Sequence, residues 1–221
     1  MVTFGLEHSY RLPYLFFALF LRGFSQIDRE VVFAVEKQVP LLPDLLSFNE
    51  TGGISDGLKY DLALAAGNVD CLRVARELGL RPVPFDPRCP GVWDPSRPLD
   101  VQMMQILDEN IFSKGGNPLT VVFSGNNHAK ALAQYDCNSV HDEDGELVHY
   151  DSTGPSLGYL LRGRFGDRSR LISTDTDEWR MWIDVEDFST VKIDVSRPQG
   201  PELDLHINLT LADAKVCGED A

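Results

Sequence analysis

Two histidines are marked out by their surroundings. His8 closes the tetrad Gly5-Leu6-Glu7-His8, and His128 closes Gly125-Asn126-Asn127-His128. Each tetrad ends an apolar run, residues 2–4 in one case and 119–123 in the other, and each precedes a segment with helical character. The unit strand, Gly-x-x-His, helix therefore occurs twice. A glycine in this place permits a sharp turn or the close approach of another group. Carboxylates recur at similar places: Glu7 beside His8, Glu36 directly after residues 31–35, and Asp86 after residues 81–85. In an open parallel sheet the C-terminal ends of the strands share one edge, so side chains remote in sequence meet in one crevice. Two imidazoles with two or three carboxylates can exchange protons with a bound substrate. They can also hold a divalent metal that polarises a carbonyl or activates water. The candidate catalytic residues are His8, Glu7, Glu36, His128 and Asp86. His8, Glu36 and His128 are the candidate metal ligands, and imidazole with carboxylate suits manganese, zinc or iron alike. Asn126, Asn127, Tyr10, Tyr60, Arg88 and Arg97 are candidate substrate contacts.

These residues need a scaffold, and the hydrophobic pattern supplies one. Residues 2–4 and 31–35 read as short buried strands, the second β-branched and suited to a parallel sheet covered on both faces. A helix over 11–24, apolar nearly all round, lies between them, with Ser9 placed to cap it and Pro13 in its first turn. Residues 37–57 are irregular with helical pieces near 41–48. Helices follow at 57–66 and 68–78, the latter closed by Gly79. Residues 81–85 form a third strand whose two prolines mark an edge or a bulge. A proline-rich loop, 87–98, precedes a helix over 99–112. Gly115-Gly116-Asn117-Pro118 breaks that helix before the fourth strand, and another helix is expected over 129–134. An acidic turn over 141–146 joins short strands, a helix covers 158–165, and strands recur at 171–173, 179–183 and 205–209. This order predicts one α/β domain over 1–221, with a central, mainly parallel sheet flanked by helices and a strand-rich C-terminal portion. It divides into two Gly-x-x-His halves, about 1–98 and 99–174, followed by strands within 175–211.

Composition narrows the function classes. The 221 residues include 34 acidic and 20 basic side chains, a formal net charge of -14. Such a balance argues against a nucleic-acid backbone as partner. The apolar run 12–21 is about half of what a membrane span requires, roughly 20 residues, so no membrane span is expected. The four cysteines are widely spaced with no C-x-x-C, which fits buried thiols in a reducing, cytoplasmic compartment better than a disulfide framework or a zinc knuckle. Phe16, Phe17 and Phe20 read as core.

The paired motifs resemble a known superfamily that includes the TIKI and TraB proteins, the haem-binding ChaN-like proteins, the erythromycin esterases and a domain of the Pasteurella multocida toxin. Its hallmark is two Gly-x-x-His motifs at strand ends, matched here by Gly5 and His8 and by Gly125 and His128. Glu36 resembles the family's acid after the second strand. Residues 77–86, ELGLRPVPFD, are similar to its helix, strand and aspartate segment, and residues 155–174 to its late part. Two departures are visible. Leu6 stands where many members carry glutamate, with Glu7 one place later. The family's arginine between the halves falls nearest to Arg97. The chain also lacks the large helical insertion expected of a macrolide esterase.

The resemblance implies an enzyme acting on a peptide or small natural product by hydrolysis, elimination or ring closure at a carbonyl-linked bond, in natural-product biosynthesis or peptide modification. The alternative it implies is a haem or metal carrier of the ChaN kind. A catalytically idle partner protein is a third reading. A homodimer is compatible with all of them.

Overall fold

The structure is a computed structural model that describes residues 1–6, 11–63, 68–137, 140–141, 147–148, 152–176 and 191–211. Glu7, His8 and Tyr10, the expected strand at 179–183 and the acidic turn at 142–146 lie outside the described residues.

Among the described residues, seven strands form one sheet: β1 (Val2–Leu6), β2 (Val31–Gln38), β3 (Pro82–Asp86), β4 (Leu119–Gly125), β9 (Arg170–Thr176), β10 (Val191–Ser196) and β11 (Leu205–Leu211). Between β4 and β9 the chain makes two small antiparallel pairs, β5 (Tyr135–Cys137) with β8 (Ser152–Gly154), and β6 (Val140–His141) with β7 (Leu147–Val148). The order in the large sheet is β10-β11-β9-β1-β4-β2-β3. Every pairing in it is parallel except β10 with β11. The protein is thus α/β with a mainly parallel sheet, and β3, the proline-bearing strand, stands at an edge where its missing N–H groups cost no ladder bonds.

Both faces are covered. On one lie α1 (Arg11–Gly23), α2 (Leu42–Thr51) and α4 (Asn68–Glu77), with α3 (Asp56–Ala63) beside α2. Phe4, Phe33, Val35, Val121 and Phe123 point into that layer. Phe17 of α1 meets Phe123 at 4.4 Å and Phe4 at 4.8 Å between ring centroids, so the phenylalanine cluster is core. Each such ring, fully buried, contributes about 2–3 kcal/mol. On the other face α5 (Leu99–Asn110) and α7 (Leu157–Phe165) bury Met103, Leu107, Leu157 and Leu161 against Ala34, Val122 and Phe85.

Two consequences of the topology position the site. Strand parity is the first. Phe33 and Val35 face α1 and Ala34 faces α5, so the period of two turns Glu36 toward the α5 layer. Here β2 runs three residues beyond its expected end, through a register irregularity between Val35 and Gln38, and Glu36 lies within the strand. The second is a switch point. The connection from β1 passes β4 to reach β2, whereas the connection from β4 passes β1 to reach β9. The ends of β1 and β4 lie side by side, Leu6 opposite Gly125. A crevice at such a reversal is where open α/β sheets form their sites.

One expected element differs. Residues 129–134 do not form a helix; a short helix, α6 (Asn126–Ala129), stops at Lys130, whose backbone is extended. The following backbone is claimed from outside: Ala131 N–H donates to Glu202 O, and Leu132 N–H to Ser156 Oγ. These tertiary bonds override the helical tendency of the sequence.

Candidate functional site

The second Gly-x-x-His segment closes over the ends of three strands. Gly125 keeps ordinary extended backbone, φ -62° and ψ 152°. Its N–H donates to Glu36 Oε2 at 2.7 Å. Gly5 is required for a different reason. A Cβ placed there would come within 2.5 Å of Ala129 Cβ and 3.0 Å of Asn126 Cα, so only glycine lets α6 settle on β1. Asn126 then staples α6 to β9. Its amide nitrogen donates to Thr174 O (3.1 Å) and Asp175 Oδ1 (2.7 Å), and its oxygen accepts from Ser173 Oγ at 3.0 Å.

This clamping carries His128 into a nearly closed position between two acids. Nδ1 lies 2.6 Å from Asp100 Oδ1, and Nε2 lies 3.6 Å from Glu36 Oε1. The Tyr135 ring stands edge-on to the imidazole, with its hydroxyl 3.5 Å from Nδ1. Asp100 sits in the first turn of α5 and is buried; the positive end of the helix favours its charge there. Burial works hardest on His128 and opposes its protonation. The fields of Glu36 and then Asp100, with the Asp100 hydrogen bond, outweigh it against a smaller opposing push from Arg88. The pKa rises to about 9. At neutral pH the ring is an imidazolium.

Glu36 is held from a third direction. Arg88, on the loop after β3, donates from Nη2 to Glu36 Oε1 at 3.0 Å. The same guanidinium grips Asp86, with Nε 2.9 Å from Oδ1 and Nη2 2.8 Å from Oδ2. The backbone N–H of Arg88 also donates to Asp86 Oδ1. The described site is therefore a chain of alternating charge: Asp100, His128, Glu36, Arg88, Asp86.

The expected residues distribute unevenly over this arrangement. Glu36, His128 and Asp86 come together. Asn126 is adjacent but commits its amide to β9. Asn127 is exposed beside His128. Arg97 is not in the site; it is exposed and donates to Gln105 Oε1 at 2.9 Å, and Arg88 is the arginine that meets Glu36. Glu7, His8, Tyr10 and the side chain of Tyr60 lie outside the described residues. Sequence reasoning passed over Asp100 and Tyr135. Asp100 is an acid at a helix start, where one is expected whatever its role. Tyr135 lies in a segment expected to border a helix.

The described donors do not fit a bound metal or haem iron. His128 Nδ1 is taken up by Asp100 at 2.6 Å. Both Glu36 oxygens are engaged, one of them by a cation, Arg88. Among the described residues no cluster of three or more His, Cys, Asp or Glu side chains is arranged to hold a metal ion. No helix among them is long and apolar enough to cross a membrane.

No protein-family profile matches this sequence, and no curated protein matches it. Solved structures do share the fold. One described as bacterial protein toxins aligns with a TM-score of 0.51 at 14% identity, over 83% of this chain and 34% of its own. A second of the same description gives 0.50 at 15%, over 82% and 34%. RRSP, a MARTX toxin effector domain from Vibrio vulnificus CMCP6, gives 0.45 at 17%, over 72% and 31%. The chain spans about a third of the length of these structures, and the likeness to the first two is one of fold.

Proposed function

We propose that this chain is an enzyme of the TIKI, ChaN and erythromycin-esterase type that hydrolyses a carbonyl-linked bond in a peptide or small natural product. One observation carries the reading: a buried imidazole held between two carboxylates at the crevice where β1 and β4 end together.

A group that titrates near 9 keeps its proton at neutral pH. His128 then serves as acid, its Nε2–H protonating the leaving group or steadying the oxyanion that forms at the carbonyl. The base must be another group, and His8 fills that role in this reading. Chain connectivity keeps the second residue after Leu6 within roughly 7 Å of it, and Leu6 lies opposite Gly125. His8 takes a proton from water as the oxygen attacks the carbonyl carbon, and the leaving group departs with the proton from His128. Glu36 and Asp100 hold the acid in its charged form, while Arg88 and the Gly125 N–H fix Glu36. The fold shared with bacterial protein toxins favours no particular substrate.

The test is to incubate the purified protein with peptides, esters and lactones and to weigh the products. Hydrolysis adds one water to the product mass; elimination or ring closure at the same bond does not. His8→Ala and His128→Ala should each slow turnover by about 10²-fold or more while circular dichroism shows the fold intact. Full activity in either folded variant defeats the proposal.

A further inference from the structure

At the other end of the sheet, where β1, β4 and β9 begin, lies a cavity of ≈ 290 Å³ with an unusual lining. Arg29, Arg164 and Arg168 border it, and among the described residues no acidic side chain does. That is notable in a chain whose acids outnumber its lysines and arginines by 34 to 20. Arg164 and Arg168 come from one short stretch and Arg29 from another 135 positions earlier, so the fold brings Arg29 to the other two.

Their states differ. Arg164 is neutralised by Asp108 at 2.6 Å and lies over the Phe112 and Phe165 rings, 5.5 and 5.7 Å from their centroids; it forms a fixed, partly apolar wall. Arg29 is anchored through Nε and Nη2 on the Asn117 carbonyl, and its Nη1 makes no hydrogen bond among the described residues. Neither Arg29 nor Arg168 forms an ion pair among the described residues. The loop that brings Asn117 here begins with Gly115 and Gly116, both at positive φ, 78° and 80°, a conformation that favours glycine. The N–H groups of Gly115, Gly116 and Asn117 make no hydrogen bond within the described residues. The positive field is felt nearby: burial first, then Arg29, Arg168 and Arg170, lowers the pKa of the Met1 ammonium.

Arg29, Arg168 and the Gly115–Asn117 loop border one cavity, and arginine side chains with a glycine-rich loop are groups that recognise a tetrahedral oxyanion. The geometry points to a binding site for a small phosphorylated or pyrophosphorylated molecule, separate from the strand-end crevice.

Calorimetric titration of the full chain with inorganic pyrophosphate tests this, with vesicles containing phosphatidic acid as a second arm. Saturable binding of one pyrophosphate per chain is expected. Arg168→Gln and Arg29→Gln should each weaken it about 10-fold or more, and His128→Ala should leave it unchanged. If a glutamine variant unfolds, Arg168→Lys, which keeps the charge and loses the fork, should still weaken binding. No saturable pyrophosphate binding, binding indifferent to these arginine substitutions, or binding to vesicles alone would each overturn the proposal.

Discussion

Asp100→Asn is the most informative single change. It keeps the shape of the side chain and an oxygen that can accept from His128 Nδ1, but removes the charge. The rise of His128 from 6.5 to about 9 corresponds to about 3 kcal/mol of preference for the imidazolium in the folded state, at ~1.4 kcal/mol per pH unit. A charge-assisted bond as short as 2.6 Å is worth roughly 1.5–3 kcal/mol. Its loss should lower the His128 titration by roughly one to two pH units, with Glu36 still raising it and burial still opposing. The sign for stability follows from a raised pKa. This group's contribution is complete below about 6.5 and is lost as pH climbs through about 9. Urea denaturation of the native chain should therefore weaken by about 3 kcal/mol from this group between those limits. In Asp100→Asn the decline should be smaller and should fall at lower pH. Titration of ¹³C-labelled histidine by NMR reads the midpoint directly. A native His128 that titrates near 6.5, or a midpoint unmoved by Asp100→Asn, would refute the reasoning.

Other outcomes follow from the same contacts. Arg88→Met leaves Glu36 and Asp86 as neighbouring buried carboxylates; with Arg88 itself partly exposed, the loss should be about 2 kcal/mol in urea denaturation at neutral pH. Gly5→Ala should cost roughly 1–3 kcal/mol by overpacking against Ala129, and Ala129→Gly in the same chain should recover part of it in thermal melts. Ser156 caps α7 toward the Tyr159 N–H and accepts from Leu132 N–H; Ser156→Ala should destabilise by about 1–2 kcal/mol and raise amide exchange over residues 130–132. If His128 is the catalytic acid, turnover of the native enzyme should fall as pH rises through about 9, and Asp100→Asn should move that fall to lower pH.

Much of the scaffold was readable because it rests on local pattern. The β-branched run at 31–35, the amphipathic stretch before Gly79 and the prolines of β3 each specify their element through nearest-neighbour chemistry. Gly5 shows the limit: its motif marked the place, but the reason, contact with Ala129, lies 124 positions away and only the fold supplies it. Glu36 was legible as an acid at a strand, and the extra turn of the pleat that aims it at α5 follows from parity. Asp100 was not legible, because an acid in a helix's first turn carries the same signature whether or not an imidazole lies against it. Arg88 stood among the candidate contacts, yet its pairing with Glu36 across 52 positions is set by where β3 docks on β2. The helix expected at 129–134 failed because Glu202 and Ser156, both distant in sequence, claim its backbone.

The central claim is that the two Gly-x-x-His histidines serve one cavity. A crystal structure measures this directly, through the separation of the His8 and His128 rings. The account predicts both rings lining the crevice where Leu6 pairs with Gly125. A His8 ring turned to the α1 face, with the sheet between it and His128, would contradict the account.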